Sequence, residues 1–113
     1  MMHVYLDDIR RCPEGFVYAK NKEECILLLQ SNEVDILSLD YDLGLDEPTG
    51  FDVVQEIVLS NLWPKQIYLH TSSDYGRRRM YELLFQAKPA STTLNHQAIP
   101  DAVLAQIKES SSS

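Results

Sequence analysis

No run of apolar residues in this chain approaches the roughly 20 that a membrane-spanning helix needs. The opening Met1-Met2-His3-Val4-Tyr5-Leu6-Asp7-Asp8 also lacks the basic and apolar regions of a secretory signal, so a soluble cytoplasmic domain is expected. Cysteine is scarce: Cys12 and Cys25 stand alone, without the spacing of metal ligands. They are expected as reduced thiols, one in a loop and one on the core face of a helix. Positive charge is in short supply as well, with 10 Lys and Arg against 17 Asp and Glu and a formal net charge of −7. Bulk DNA binding depends on neutralising many phosphates and is therefore not expected, although a local basic cluster can still hold one phosphate. Neither an internal repeat nor a linker divides the chain.

What is present suits one compact unit. A chain of 113 residues falls in the usual range of a single domain, and 44% hydrophobic with 24% charged residues is enough to bury a core without staples. One domain is expected over residues 1–109, with the closing serines 110–113 fraying as a disordered tail because they have nothing to bury.

Apolar runs and turn signals alternate along the chain. His3 to Leu6 reads as a short strand that stops at Asp7-Asp8, followed by a loop from Ile9 to Gly15 and a second strand from Phe16 to Ala19. Asn21 and Glu24 have capping-box spacing ahead of a helix whose buried stripe is Cys25, Leu28 and Leu29. Val34 to Leu39 is almost continuously apolar and ends in Asp40, the pattern of a central parallel strand covered on both faces. Thr49 and Asp52 cap a further helix with Val54, Ile57 and Val58 on its core face, ended by Trp63-Pro64. Ile67 to Leu69 is the next strand. The helix after it is expected from about Asp74 to Ala87, with Met80, Leu83, Leu84 and Ala87 buried and Pro89 as its stop. A short fifth strand over Ser91 to Leu94 and a last helix opened by Pro100 and carrying Val103, Leu104 and Ile107 complete the order. This alternation predicts an α/β three-layer sandwich around a parallel sheet ordered 2-1-3-4, with no full helix after the first strand.

The ligand site of such a sheet lies beyond the strand C-termini, where Asp7, Asp8, Asp40, His70 and Thr71 all fall. Several carboxylates in one concavity repel unless a proton or cation intervenes, and a hard divalent ion such as magnesium suits them. The blander alternative is that these aspartates cap helices or start loops. Asp42, Asp46 and Glu47 are weaker candidates, because a loop ahead of a capped helix is often acidic. Thr71 and Ser72 offer hydroxyls to a phosphoryl group or, equally, caps to the next helix. His70 suits a proton donor or a satisfied buried histidine. Arg77, Arg78 and Arg79 stand near a helix N-terminus, where positive charge calls for an anion or for solvent, and Arg10 can point into the same pocket or into water.

Leu6-Asp7-Asp8-Ile9-Arg10 with Pro13 and Gly15, Ser38-Leu39-Asp40-Tyr41-Asp42-Leu43-Gly44, Thr49-Gly50-Phe51-Asp52-Val53, and His70-Thr71 with Gly76-Arg77 and Met80 together form a pattern. It resembles the response-regulator receiver superfamily and, more closely, the cyclic-phosphate processing receiver domains. The resemblance implies a flavodoxin-like, receiver-like fold with the first receiver helix shortened or absent, and action on a cyclic phosphate of a nucleotide or RNA end. It further implies Mg2+ or Mn2+ at Asp7, Asp8, Asp40 and Asp42, phosphate contacts from Arg10, Thr71, Ser72 and Arg77, and catalytic roles for Asp40, His70, Thr71 and Arg77. The alternative is a signalling receiver, with Asp40 as phosphoacceptor or with a degenerate site that binds a protein partner. Tyr41 and Ser73 depart from the family pattern, which has histidine and asparagine there. Lys88-Pro89 looks like the receivers' lysine-proline pair but comes too early, so Lys88 is expected at a helix C-terminus, with His70 or Arg77 supplying the positive charge.

Overall fold

The computed structural model describes residues 1–111. Five strands, β1 (Met2–Leu6), β2 (Val17–Ala19), β3 (Val34–Leu39), β4 (Gln66–Leu69) and β5 (Thr93–Leu94), form one parallel sheet in the order β2-β1-β3-β4-β5. Four helices connect or follow them: α1 (Lys22–Ser31), α2 (Gly50–Ser60), α3 (Asp74–Ala87) and α4 (Asp101–Ser111). The apolar run of β3 lies at the centre, and the segment from Ile9 to Gly15 forms no helix. Among the described residues no helix is long and apolar enough to cross a membrane.

Strand alternation sends Val4, Leu6, Leu37, Leu39, Ile67 and Leu69 to one face, where Cys25 and Leu29 of α1, Val53, Val54 and Ile57 of α2, and Met80 and Leu84 of α3 complete the main core. The opposite face is covered more thinly. Ile36 and Tyr68 pack there with Ile99, Phe16 and the Val103, Leu104 and Ile107 stripe of α4. Three helices on one face and one on the other follow from the missing crossover helix between β1 and β2. Phe16 fills part of that space, with its ring against His3 and Tyr5. Gly15 turns the loop at φ +91° against Ile107, a conformation and a closeness that a side chain would oppose.

The helix starts form as their sequences require. Asn21 Oδ1 accepts from the Glu24 N–H at 2.9 Å, while the Glu24 carboxylate accepts from the N–H of Lys20, one residue before the cap. Thr49 and Asp52 close a full capping box. Lys88 caps α3 at its C-terminus, as expected. Ala87, expected in the stripe, is exposed on the last turn, and the buried positions of α3 are Gly76, Met80 and Leu84. The last helix carries Ser110 and Ser111, with the Ser111 hydroxyl donating to the Lys108 carbonyl at 2.9 Å; the rest of the expected tail, Ser112 and Ser113, lies outside the described residues.

Two strand pairings set the site. Leu6 pairs with Leu39 and Leu39 with Leu69, so β1, β3 and β4 end level. The ladder continues for one residue: Asp40 N–H donates to the Leu6 carbonyl and His70 N–H to the Leu39 carbonyl. Asp7, Asp40 and His70 therefore stand in a row. Gly50 brings α2 against this row, because a Cβ there would sit 2.0 Å from the Asp40 carbonyl oxygen. Gly50→Ala is expected to cost about 1–3 kcal/mol through overpacking, and an unchanged urea midpoint would show that the backbone yields freely at this point.

Candidate functional site

Asp7 organises the end of β1. It is fully buried, and its Oδ1 accepts the N–H groups of Ile9 and Arg10, each at 2.9 Å. A short carboxylate bonded to backbone two and three residues ahead closes a tight turn, which sends the chain into the loop and Arg10 back over the sheet. The cap-like geometry weighed from sequence is thus present, with no helix behind it. Asp7 Oδ2 accepts from Arg10 Nη1 and from His70 Nε2, both at 2.9 Å.

Arg10 Nη1 also reaches Asp40 Oδ2 at 3.3 Å, so one guanidinium spans both carboxylates. Asp40 Oδ1 accepts from the Tyr41 N–H at 2.8 Å, and the Thr71 side chain bonds the same carboxylate. On the other side of His70, Nδ1 lies 2.6 Å from the hydroxyl of the fully buried Ser38. With the Asp7 carboxylate accepting at Nε2, neutral His70 carries its proton there and Nδ1 accepts from Ser38. The His70 ring stacks on Tyr5, with centroids 4.3 Å apart and planes 3° from parallel.

These surroundings push neighbouring groups in opposite directions. Burial alone would raise the Asp7 pKa, but the Ile9 and Arg10 N–H groups, the Arg10 guanidinium and His70 together hold it at about 2. Burial raises Asp40, helped by the nearby Asp7 charge and opposed by its bonds to Thr71 and Tyr41. Burial lowers His70 against the pull of both aspartates, which keeps the ring neutral near pH 7. Asp7 is thereby committed to the anionic form, whereas Asp40 is the more basic carboxylate.

Above this row opens a cavity of about 780 Å³ lined by Asp7, Asp8, Arg10, Asp40, Asp42, Thr71 and Ser72, together with Ile9, Gly44, Leu45, Asp46 and Ser73. Seven of the nine residues to which the resemblance assigns a role thus meet in one cavity. His70 and Arg77 line a separate cleft of about 320 Å³ with His96, Gln97 and Ala98. The Arg77 guanidinium donates to the Thr71 carbonyl and pairs with Asp74 at 2.9 Å. Arg79 lies 3.9 Å over the Phe51 ring. Arg10 is the cation that contacts both carboxylates, while Arg77 is engaged by Asp74 and the Thr71 carbonyl and burial lowers the pKa of His70. The two departures from the family pattern have structural uses. Tyr41 packs on Gly76, where a Cβ would lie 2.1 Å from its ring, and Ser73 caps α3 by accepting from the Gly76 N–H at 3.0 Å.

Sequence reasoning gave no role to Ser38 or Tyr5. Ser38 carried a signal, as a hydroxyl inside an otherwise apolar central strand, whereas Tyr5 reads as an ordinary strand residue. For metal binding, Asp7, Asp40 and His70 offer ligand atoms within 4.8 Å of one another. Every acceptor position of Asp7 is already used, however, which leaves Asp8, Asp40, Asp42 and Asp46 as the carboxylates with spare capacity on this cavity. Such an oxygen-rich lining fits a hard divalent cation.

Residues 2–86 match the family model of the cyclic-phosphate processing receiver domain. No curated protein matches the chain.

Asp7 makes acid stability a direct readout of this geometry. Its folded pKa of about 2 lies below the ordinary 3.8, so its stabilising contribution is complete above pH 3.8 and is lost as the pH falls towards 2. The stability difference between the wild type and Asp7→Asn is expected to shrink by about 2 kcal/mol between pH 5 and pH 2. Urea unfolding across that range measures it, and a difference independent of pH would mean that Asp7 carries no depressed pKa.

Proposed function

The chain belongs to the cyclic-phosphate processing receiver domains, and on that footing we propose that it is a divalent-metal-dependent phosphoesterase that opens a cyclic phosphate on a nucleotide or an RNA end. The observation that carries this reading is the pairing of one committed carboxylate, Asp7, with one more basic carboxylate, Asp40, beneath Arg10 and beside the Thr71 hydroxyl in a cavity large enough for a nucleotide.

Asp8, Asp40 and Asp42 are the residues that would hold Mg2+ or Mn2+, which supplies neutralisation of phosphoryl charge. Arg10 and the hydroxyls of Thr71 and Ser72 bind the phosphoryl oxygens, and these are the groups on which charge builds as water attacks. Asp40, at the end of the central strand beside Thr71, takes the proton of that water. A bond from water oxygen to phosphorus forms, one of the two ester bonds of the ring breaks, and the freed oxygen takes a proton from solvent in the open cavity. His70 and Arg77 act at one remove. His70 has both ring nitrogens engaged and orients Asp7, which favours the satisfied buried histidine over the proton donor, while Arg77 holds the Thr71 backbone.

The substrate is a small phosphate-containing molecule or an RNA end, and the net charge of −7 sets bulk DNA aside. Two free cysteines, one of them buried with its thiol pushed up to about 12, suit a reducing cytoplasm. A second reading, Asp40 as phosphoacceptor in signalling with a protein partner, draws on the Asp40–Thr71 contact that a receiver would use. Against it, β5 is followed by Asn95 and His96, with no lysine to bond a phosphoryl group.

Metal-dependent opening of 2′,3′-cyclic nucleotides or cyclic-ended RNAs is the expected activity. Asp40→Asn should lower it at least about 100-fold and Thr71→Ala about 10- to 100-fold. Intact mass after treatment with a small phosphodonor is measured in parallel. No turnover across the panel, with a stable gain of one phosphate that disappears in Asp40→Asn, would replace the esterase with the signalling domain.

A further inference from the structure

Arg10 is the least confined member of the charged row. Its side chain is 42% exposed, whereas those of Asp7 and Asp40 are 0% and 7% exposed. Its backbone is fixed by the bond from its own N–H to Asp7, and it rises from a loop. Its Nη1 nevertheless sits within 3.3 Å of both carboxylates, between the charges that an added cation would also seek. Counting Asp7, Asp40, Arg10 and neutral His70, the row carries a net charge of −1, and the cavity lining adds Asp8, Asp42 and Asp46. Two cations on one carboxylate repel even beside solvent, so guanidinium and divalent metal do not share Asp40 at low cost. A guanidinium driven off a carboxylate keeps its charge and its planar fork of donors, and a phosphoryl group is the partner that such a fork fits best.

We propose that Arg10 is the resident cation of the free site, displaced from Asp40 when a divalent metal binds and turned onto the phosphoryl group, so that metal and phosphate enter as a coupled pair. This rests on the metal-dependent reading above and adds the residue that links the two ligands. With metal alone, Arg10 gives up its contact to Asp40 without gaining a new anion. With phosphate present, Arg10 exchanges one anion for another. Reciprocity then requires each ligand to raise the affinity for the other.

The test is Mn2+ binding to the intact chain, followed by the electron paramagnetic resonance of free Mn2+, with and without inorganic phosphate. Arg10→Gln is expected to bind Mn2+ at least about 10-fold more tightly than the wild type in the absence of phosphate, since a competing charge is gone. Arg10→Lys, which keeps the charge, should stay within a few-fold of the wild type. Inorganic phosphate should tighten Mn2+ binding in the wild type and have a several-fold smaller effect in Arg10→Gln. Equal affinities in the wild type and Arg10→Gln would overturn the resident-cation role while leaving the metal site standing, as would weaker binding in a folded Arg10→Gln. Failure of all three proteins to bind millimolar Mn2+, with or without phosphate, would remove the metal-dependent reading and this inference together.

Discussion

The carboxylate of Asp7 is buried at the end of a strand and needs hydrogen bonds in every direction, because an ionised group removed from water is costly unless it is fully paired. It obtains them from two backbone N–H groups, one guanidinium and one imidazole. Each bond constrains something else. The backbone pair sets the turn after β1, the guanidinium fixes Arg10 over the sheet, and the imidazole fixes His70, which Ser38 and Tyr5 then hold from the other side. A carboxylate this fully engaged is a scaffold for the site more than a free ligand.

Loss of the first crossover helix fits the same arrangement. Where a helix would begin after β1, the cap-like bonds of Asp7 close a single turn and the chain returns through Pro13 and Gly15 to β2. The sheet face left behind is covered by Phe16, Ile99 and α4. What the molecule forgoes in burial on that face it gains in a short loop, from which an arginine reaches the strand ends.

The two central aspartates are separated by chemistry as much as by distance. Both stand at level strand ends, yet four bonds hold Asp7 anionic, while Asp40 has fewer partners and meets the Asp7 charge. Unequal neighbours give one carboxylate a structural task and leave the other available for a proton or a metal, a division seen wherever paired acids carry distinct roles.

Much of the framework was legible in the residues themselves. Apolar runs of strand length, capping pairs and helical stripes are local, so β3, the full span of α3 and the absence of a helix after β1 could be read from neighbours in sequence. The acidic strand ends followed from the same reading, since the apolar runs stop at Asp7 and Asp40. The partners of long side chains were not legible. Arg10 and Arg77 look equivalent as cations near a predicted site, but Asp74, three residues before Arg77 on the same helix, captures the second and leaves the pocket to the first. Ser38 and His70 are 32 residues apart and meet only because β3 and β4 pair in one particular register. Sequence determined the positions from which chemistry could be delivered; tertiary packing decided which flexible side chains arrive there, because their reach exceeds the spacing of the elements that carry them.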